Sequence, residues 1–208
     1  IVNGMLGLTA GTINAATANR GTIEARGDVI IARTMTRIGN ATLLFGGGSD
    51  QLVTCPSGAT ATVNLLNYVV IDKDDNANKV SFTGNAIFHN VNLNKGSLVL
   101  MGGSTFAFHY VDTVVTSANT TLNFSGSSGS MVTLRSTTSG SAWKLNVNNA
   151  ATCSATYVDV KDSNASGGKT IVAFSSTNSG NNKNWSFPSM LAFTTSAQHV
   201  VKNTASSV

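Results

Sequence analysis

The sequence predicts an all-β chain folded as a right-handed parallel β-helix (a β-solenoid) with coils of about 20 residues. The first observation is composition: Asn, Ser and Thr make 73 of the 208 residues, whereas glutamate occurs once, at Glu24. Exposed faces therefore carry residues that favour strands and turns rather than helices. The second observation is that short apolar runs recur and are separated by Gly, Asn and Ser.

The recurring runs form two interleaved sets. The first set is GTIEA at 21, ATLLF at 41, ATATV at 59, KVSF at 79, GSLVL at 96, TTLNF at 120, SAWKLNV at 141 and KTIVAF at 169. The second is DVIIA at 28, QLVT at 51, YVVID at 68, AIFHNVNL at 86, TFAFHYV at 105, MVTL at 131 and ATYVDV at 155. Such coils bury their inward side chains only by stacking. Eight coils at about 4.8 Å would give a rod of roughly 40 Å, although the stretch from 101 to 120 fits the period least well.

A β-sandwich is the alternative all-β fold, because it also has many short strands. Sandwich strands are joined by hairpins, which favour Asn-Gly and Asp-Gly turns. Here Asn-Gly occurs once, at Asn3-Gly4, and Asp-Gly does not occur. The solenoid is therefore the preferred prediction.

Charge and cysteine content narrow the function classes. The net charge of +4 is spread along the chain without a concentrated basic face, so we expect no nucleic-acid partner. No apolar run reaches the length of a transmembrane helix. Cys55 and Cys153 belong to no zinc-binding pattern, and we favour two buried free thiols over one long-range disulfide.

Two regions are predicted. Residues 1–188 form the solenoid domain, and residues 189–208 form a strand or tail that starts a further module or serves as an assembly strand. Both ends of the sequence look like interruptions, so we expect a processed or truncated piece of a longer protein.

The C-terminal third carries a resemblance. ATYVDVKDSNASGG, followed by NSGNNKNWSF, resembles a closing segment of repetitive secreted bacterial surface proteins with right-handed parallel β-helices. The upstream coils are similar to the repeats that precede that segment, and LAFTTSAQHVVKNTASSV resembles the opening of the immunoglobulin-like modules that often follow it. The resemblance implies an extracellular structural or adhesive role and supplies no catalytic residues.

Three charged residues lie close together at Asp159, Lys161 and Asp162. If Val158 and Val160 point inward, strand alternation places Asp159 and Lys161 together in solvent. Asp162 opens the turn DSNASGG, where its carboxylate can accept backbone N–H groups. Strand and turn physics thus explains the cluster, and we predict no catalytic residues and no enzymatic activity.

A second acidic cluster, DKDDNANK, begins at Asp72. Asp72, Asp74 and Asn76 have the alternate spacing of the first ligands of a calcium loop, but Ala77 and Thr83 stand where that loop needs Gly and Glu. We therefore expect a solvated loop, no cofactor and no metal, with weak calcium binding as the alternative.

His89 and His109 lie 20 residues apart in similar strands, so they are expected to stack on one face. A stacked pair can bind a metal or titrate near neutral pH. We expect an exterior ladder instead, since no Asp or Cys has a convincing spacing to complete a metal site.

The two ends of the rod carry the remaining predicted sites. A cap is expected from Asn181, Asn182, Asn184, Trp185 and Phe187, because end coils expose strand edges and apolar faces. Assembly contacts with further copies of the chain, head to tail, are expected from Ile1, Val2, Met5, Leu6, Leu8, Leu191, Phe193, Val200 and Val201.

The predicted function is a structural extracellular protein, a surface-fibre or filament subunit that assembles through solenoid edges. One alternative is a glycan-binding adhesin segment, for which Tyr68, Tyr110 and Tyr157 are the candidate contacts. A polysaccharide lyase or hydrolase is the weaker alternative, because nine acids in the whole chain leave few carboxylates for such chemistry.

Overall fold

The computed structural model describes residues 1–13, 21–33, 35–37, 40–57 and 65–188. These residues form strands and turns without a helix, and so none that is long and apolar enough to cross a bilayer. The strands are β1 (Leu6–Leu8), β2 (Gly11–Thr12), β3 (Thr22–Ala25), β4 (Val29–Ile31), β5 (Met35–Arg37), β6 (Thr42–Phe45), β7 (Gln51–Thr54), β8 (Leu65–Asp72), β9 (Lys79–Thr83), β10 (Ala86–Lys95), β11 (Ser97–Met101), β12 (Thr105–Phe108), β13 (Thr113–Thr116), β14 (Thr121–Ser125), β15 (Val132–Ser136), β16 (Trp143–Asn146), β17 (Thr152–Thr156), β18 (Val158–Val160), β19 (Ser163–Asn164), β20 (Ile171–Phe174), β21 (Thr177–Asn178) and β22 (Trp185–Ser186). The all-β prediction is confirmed.

A nine-stranded sheet follows the chain in strict order. It runs β1-β4-β7-β9-β11-β14-β17-β20-β22, and each strand pairs in parallel with the next. Parallel neighbours require a crossover between them. From each of the nine strands to the next the chain therefore makes one turn, which gives eight turns. This is the parallel β-helix that the sequence predicts.

An eleven-stranded sheet forms the other two sides of the turns. Its long strand β10 is shared, because residues 86–88 pair with β12 and residues 91–93 pair with β13. One branch continues through β15, β18 and β21, and the other through β16 and β19. We call the nine-stranded sheet the first side, the β12 branch the second side and the β13 branch the third side, which also holds β3, β6 and residues 68–71 of β8.

The turns differ in length. Val80 pairs with Leu98, 18 residues later, whereas Leu122 pairs with Cys153, 31 residues later. The predicted period of about 20 residues thus describes the shorter turns, and longer corner loops extend the others. The stretch from 101 to 120, irregular in sequence, contains β12 and β13 and completes a turn like its neighbours.

A series of aromatic rings links the turns through the core. Ring centroids lie 5.6 Å apart from Phe45 to Phe82, 5.2 Å from Phe82 to Phe88, 5.5 Å from Phe88 to Phe108 and 4.2 Å from Phe108 to Trp143. All five side chains are buried. Because rings of successive turns pack on one another, the stability of each turn depends on its neighbours.

A buried polar cluster closes the corner between the third and first sides. Lys73 Nζ donates to the Gly46 carbonyl at 2.5 Å and to Gln51 Oε1 at 2.6 Å. Gln51 Nε2 in turn donates to the carbonyls of Ala25 and Gly27 at 3.0 and 2.6 Å. Both side chains are buried, and burial lowers the pKa of Lys73. The lysine thus provides hydrogen bonds for acceptors that are buried at this corner.

Both cysteines are free, as expected. Cys55 is buried and Cys153 is partly buried. Burial raises the pKa of each thiol to about 12, so neither carries a reactive thiolate in the folded chain.

Candidate functional site

Two histidines and one aspartate meet at the corner between the second and third sides. His89 lies within β10, His109 follows β12 one turn later, and Asp112 immediately precedes β13. The His109 N–H donates to the Phe88 carbonyl at 2.8 Å, which aligns the two histidines across adjacent turns. Their rings stack, with centroids 4.2 Å apart and planes 10° from parallel.

Both rings direct Nδ1 at the same carboxylate oxygen. Asp112 Oδ2 lies 2.8 Å from His89 Nδ1 and 3.1 Å from His109 Nδ1. The other oxygen, Oδ1, accepts a hydrogen bond from Asn90 Nδ2 at 2.9 Å. The three clustered side chains are 19 to 29% exposed, so the cluster lies at the surface. In the part of the chain that the structure describes, no other group of three His, Cys, Asp or Glu side chains converges in this way.

The predicted stacking of the two histidines is confirmed, but the expectation that no acid completes the pair is wrong. Asp112 follows His109 by three residues, and its N–H donates to the His109 carbonyl at 3.1 Å. This four-residue turn brings the carboxylate back beside the ring that precedes it. The sequence feature that indicates this contact is His-Tyr-Val-Asp at a corner. Strand alternation alone does not show that the aspartate returns to the histidine.

The Asp159 carboxylate joins successive turns through side-chain hydrogen bonds. Arg135 Nη2 donates to its Oδ2 at 2.6 Å, and Ser179 Oγ donates to its Oδ1 at 2.5 Å. Burial alone would raise the pKa of Asp159, but hydrogen bonds from Arg135 and Ser179 outweigh it and lower the pKa. Asp159 and Lys161 share the outer face as predicted, yet the hydrogen-bonded partners of Asp159 lie on the adjacent turns.

Asp162 has a structural role, but its carboxylate accepts a backbone N–H from another turn and not from the turn DSNASGG that it opens. Val158 and Val160 point inward and are fully buried. The Asp162 carboxylate accepts the Gly140 N–H at 3.1 Å and Asn181 Nδ2 at 2.7 Å. These hydrogen bonds outweigh burial, which acts to raise the pKa of Asp162, and the net pKa is lowered. The carboxylate therefore joins adjacent turns.

The calcium candidates Asp72, Asp74 and Asn76 lie exposed at the end of β8 and in the loop that follows it. Asp72 and Asp74 are exposed, and Asn76 Oδ1 accepts the Gly96 N–H at 3.2 Å. Lys73, which stands between Asp72 and Asp74 in the sequence, is buried. Within the described residues, the acids of this loop join no metal-ligating group. Weak calcium binding stays a prediction.

Some of the predicted assembly residues near the N-terminus are exposed and others are buried. Ile1 and Met5 are 75% and 66% exposed, whereas Leu8 is buried and Leu6 packs against the core. Leu8 therefore offers no side chain to another copy, because its own turn encloses it. Val2 bridges to the end of β3. The other predicted contacts, Leu191, Phe193, Val200 and Val201, lie outside the described residues.

The predicted cap residues contact the last turns. Asn182 and Asn184 donate side-chain N–H groups to backbone carbonyls at 2.8 to 3.0 Å, and Asn181 binds the Asp162 carboxylate. Trp185 and Phe187 pack against the core. These contacts are those that a cap requires, and the capping role itself stays a prediction.

The three tyrosines proposed for a glycan face do not share one. Tyr68 and Tyr110 lie near the corner of the second and third sides, whereas Tyr157 lies between β17 and β18 at another corner. A surface cavity of about 310 Å³ opens instead on the third side, and its lining includes Asn146, Asn148 and Asn149.

Comparisons with protein-family models, with curated proteins and with solved structures found no match for this chain.

Proposed function

We propose that this chain is a structural segment of an extracellular surface protein or fibre and that it assembles end to end through its open strand edges. The observation that carries the proposal is the edge of β1. This strand ends the order of the first side and pairs only with β4 within the described residues. An edge strand of this kind presents backbone groups that a further strand can pair with.

The hydrogen bonds of β1 show which backbone groups are directed outward. The Leu6 N–H donates to the Asp28 carbonyl at 2.8 Å, and the Leu8 carbonyl accepts the Ala32 N–H at 2.9 Å. In a parallel ladder, residues whose groups face the partner alternate with residues whose groups face away. The N–H and C=O of Gly7 therefore point away from β4, toward the place that another strand would take.

The occupant that we propose is the tail, residues 191–208, of a second copy. Its sequence LAFTTSAQHVV is rich in strand-forming residues. Strand addition of this kind obtains affinity from main-chain hydrogen bonds and specificity from alternate side chains. Exposed Ile1 and Met5 lie beside this edge and would add apolar contact.

Sedimentation velocity over a range of protein concentrations tests this proposal. Gly7→Pro removes the outward N–H and leaves the bonds of Leu6 and Leu8 in place. Gly7→Ala is the matched control, because the added Cβ meets Thr9 at an ordinary 3.6 Å. We expect the wild type and Gly7→Ala to assemble, and Gly7→Pro and a chain lacking residues 191–208 to stay monomeric with unchanged circular dichroism. Equal assembly of Gly7→Pro and Gly7→Ala would contradict the proposal.

Glycan binding is the second candidate function, and the cavity on the third side favours it. The amides of Asn146, Asn148 and Asn149 offer donors and acceptors suited to sugar hydroxyls. Retention of the wild type on polysaccharide columns, and its loss in Asn148→Ala, would support an adhesin segment. Turnover of the polysaccharide would point to a lyase or hydrolase instead.

A further inference from the structure

The histidine corner has the donor atoms of a metal site. The two imidazole Nδ1 atoms lie 2.8 and 3.1 Å from Asp112 Oδ2, and one ligand atom from each of the three side chains lies within 4.8 Å of the other two. His109 Nδ1 is buried and makes no hydrogen bond of good geometry, although Asp112 Oδ2 is near it. A buried nitrogen without a hydrogen bond is unusual in a folded protein. A bound cation would give its lone pair a partner.

We propose that His89, His109 and Asp112 bind one divalent transition-metal ion of the zinc class. Two imidazoles with one carboxylate suit Zn²⁺, Cu²⁺, Ni²⁺ and Fe²⁺, whereas Ca²⁺ and Mg²⁺ prefer oxygen ligands alone. Two ligand atoms at about 2.0 Å from a tetrahedral zinc lie roughly 3.3 Å apart. The distances from the two Nδ1 atoms to Asp112 Oδ2 are now 2.8 and 3.1 Å, and each needs to increase by only a few tenths of an ångström.

The carboxylate is oriented before any ion arrives. Asn90 Nδ2 donates a hydrogen bond to Asp112 Oδ1, and the Asp112 N–H donates to the His109 carbonyl and fixes the backbone of the turn. Asp112 Oδ2 therefore faces the two imidazole rings. Outer hydrogen bonds of this kind commonly fix the direction of a metal ligand. Asn90 is therefore a positioning residue in this proposal.

Binding requires one rearrangement. An imidazole ligand holds the ion in its ring plane, and the stacked rings now lie 10° from parallel. The rings must tilt until both planes contain the ion. Their side chains are 23% and 29% exposed, so the protein does not enclose them. The fourth position then faces solvent, where water or a ligand from another molecule would bind.

The site joins two turns of the helix. His89 belongs to the turn that contains β10, and His109 and Asp112 belong to the turn that contains β12 and β13. An ion that binds the folded chain and not the unfolded one raises the melting temperature as its concentration rises. The proposed site therefore also acts as a staple between turns.

Zinc titration by calorimetry, with the full chain in metal-free buffer, tests the site. We expect one zinc per chain and a Kd at least about 100-fold weaker in His89→Gln, His109→Gln and Asp112→Asn, since loss of outer partners alone commonly costs 10- to 100-fold. Asn90→Ala should weaken binding by about 10- to 100-fold. His199→Gln, in the third histidine of the chain, is the matched control and should bind like the wild type.

Copper provides a readout that a merely structural role would not change. Electron paramagnetic resonance of the Cu²⁺-loaded wild type should show two imidazole nitrogens, and each of the variants at His89 and His109 should show one. The metal-free melting temperature of every variant is measured as the folding control. Wild-type affinity in all three ligand variants, or loss of binding only in His199→Gln, would overturn the proposal.

Discussion

The aromatic series in the core gives the sharpest stability prediction, at Phe88. This ring is 1% exposed and contacts three others, with centroids 5.2 Å from Phe82, 6.1 Å from Phe106 and 5.5 Å from Phe108. Truncation of a buried Phe to Ala typically costs about 3–5 kcal/mol. Aromatic pairs add roughly 0.5–1.5 kcal/mol each beyond area burial. Phe88→Ala should therefore lower the free energy of unfolding by about 5 kcal/mol, near the upper end of that range.

Urea unfolding followed by circular dichroism measures this loss. Phe174→Ala is the control, because its side chain is 50% exposed on the outer face of β20 and should cost about 1 kcal/mol or less. Since turns are stabilised by their neighbours, Phe88→Ala is also expected to broaden or divide the unfolding transition. If Phe88→Ala and Phe174→Ala shift the midpoint equally, the account of a shared core is wrong.

Three further predictions concern the corners and the ladders. Lys73→Met leaves two buried acceptors unsatisfied, at about 1–3 kcal/mol each, and should lower the urea midpoint far more than the same change at exposed Lys79. The folded-state pKa of Asp159 is lowered, so its contribution to stability is complete above its ordinary pKa and is lost as the pH falls through the lowered value. Below about pH 5, the melting temperature of Asp159→Asn should therefore fall less steeply with decreasing pH than that of the wild type. An equal slope in the two proteins would contradict this. Gly84 and Gly129 have φ of 81° and 79°, but an added Cβ clashes with a backbone carbonyl only at Gly84, so Gly84→Ala should lower the melting temperature well beyond Gly129→Ala.

The strand pattern could be predicted because it depends on residues close in sequence. Val158 and Val160 alternate with Asp159, and this two-residue period alone placed the valines in the core and the aspartate outside. The stacking of His89 on His109 followed from their spacing in two similar strands. These features need no knowledge of how long each corner loop is.

Partners across corners could not be predicted, because they depend on loop lengths that vary from turn to turn. Arg135 reaches Asp159 from 24 residues away, and this pairing requires knowing which residues are aligned on adjacent turns. Lys73 stands between two acids in the sequence, but its position directly after β8 directs it into a corner. Asp112 was missed for the same reason, since a turn rather than a strand carries it back to the histidines.

Negative-stain electron microscopy of the purified chain tests the central claim of end-to-end assembly most directly. We expect long filaments of uniform width that grow with protein concentration and are absent in Gly7→Pro. Loss of the filaments on addition of a chelator would show in addition that a bound ion supports them. Isolated rods of roughly 40 Å at every concentration, the length expected for eight stacked turns, would contradict the claim.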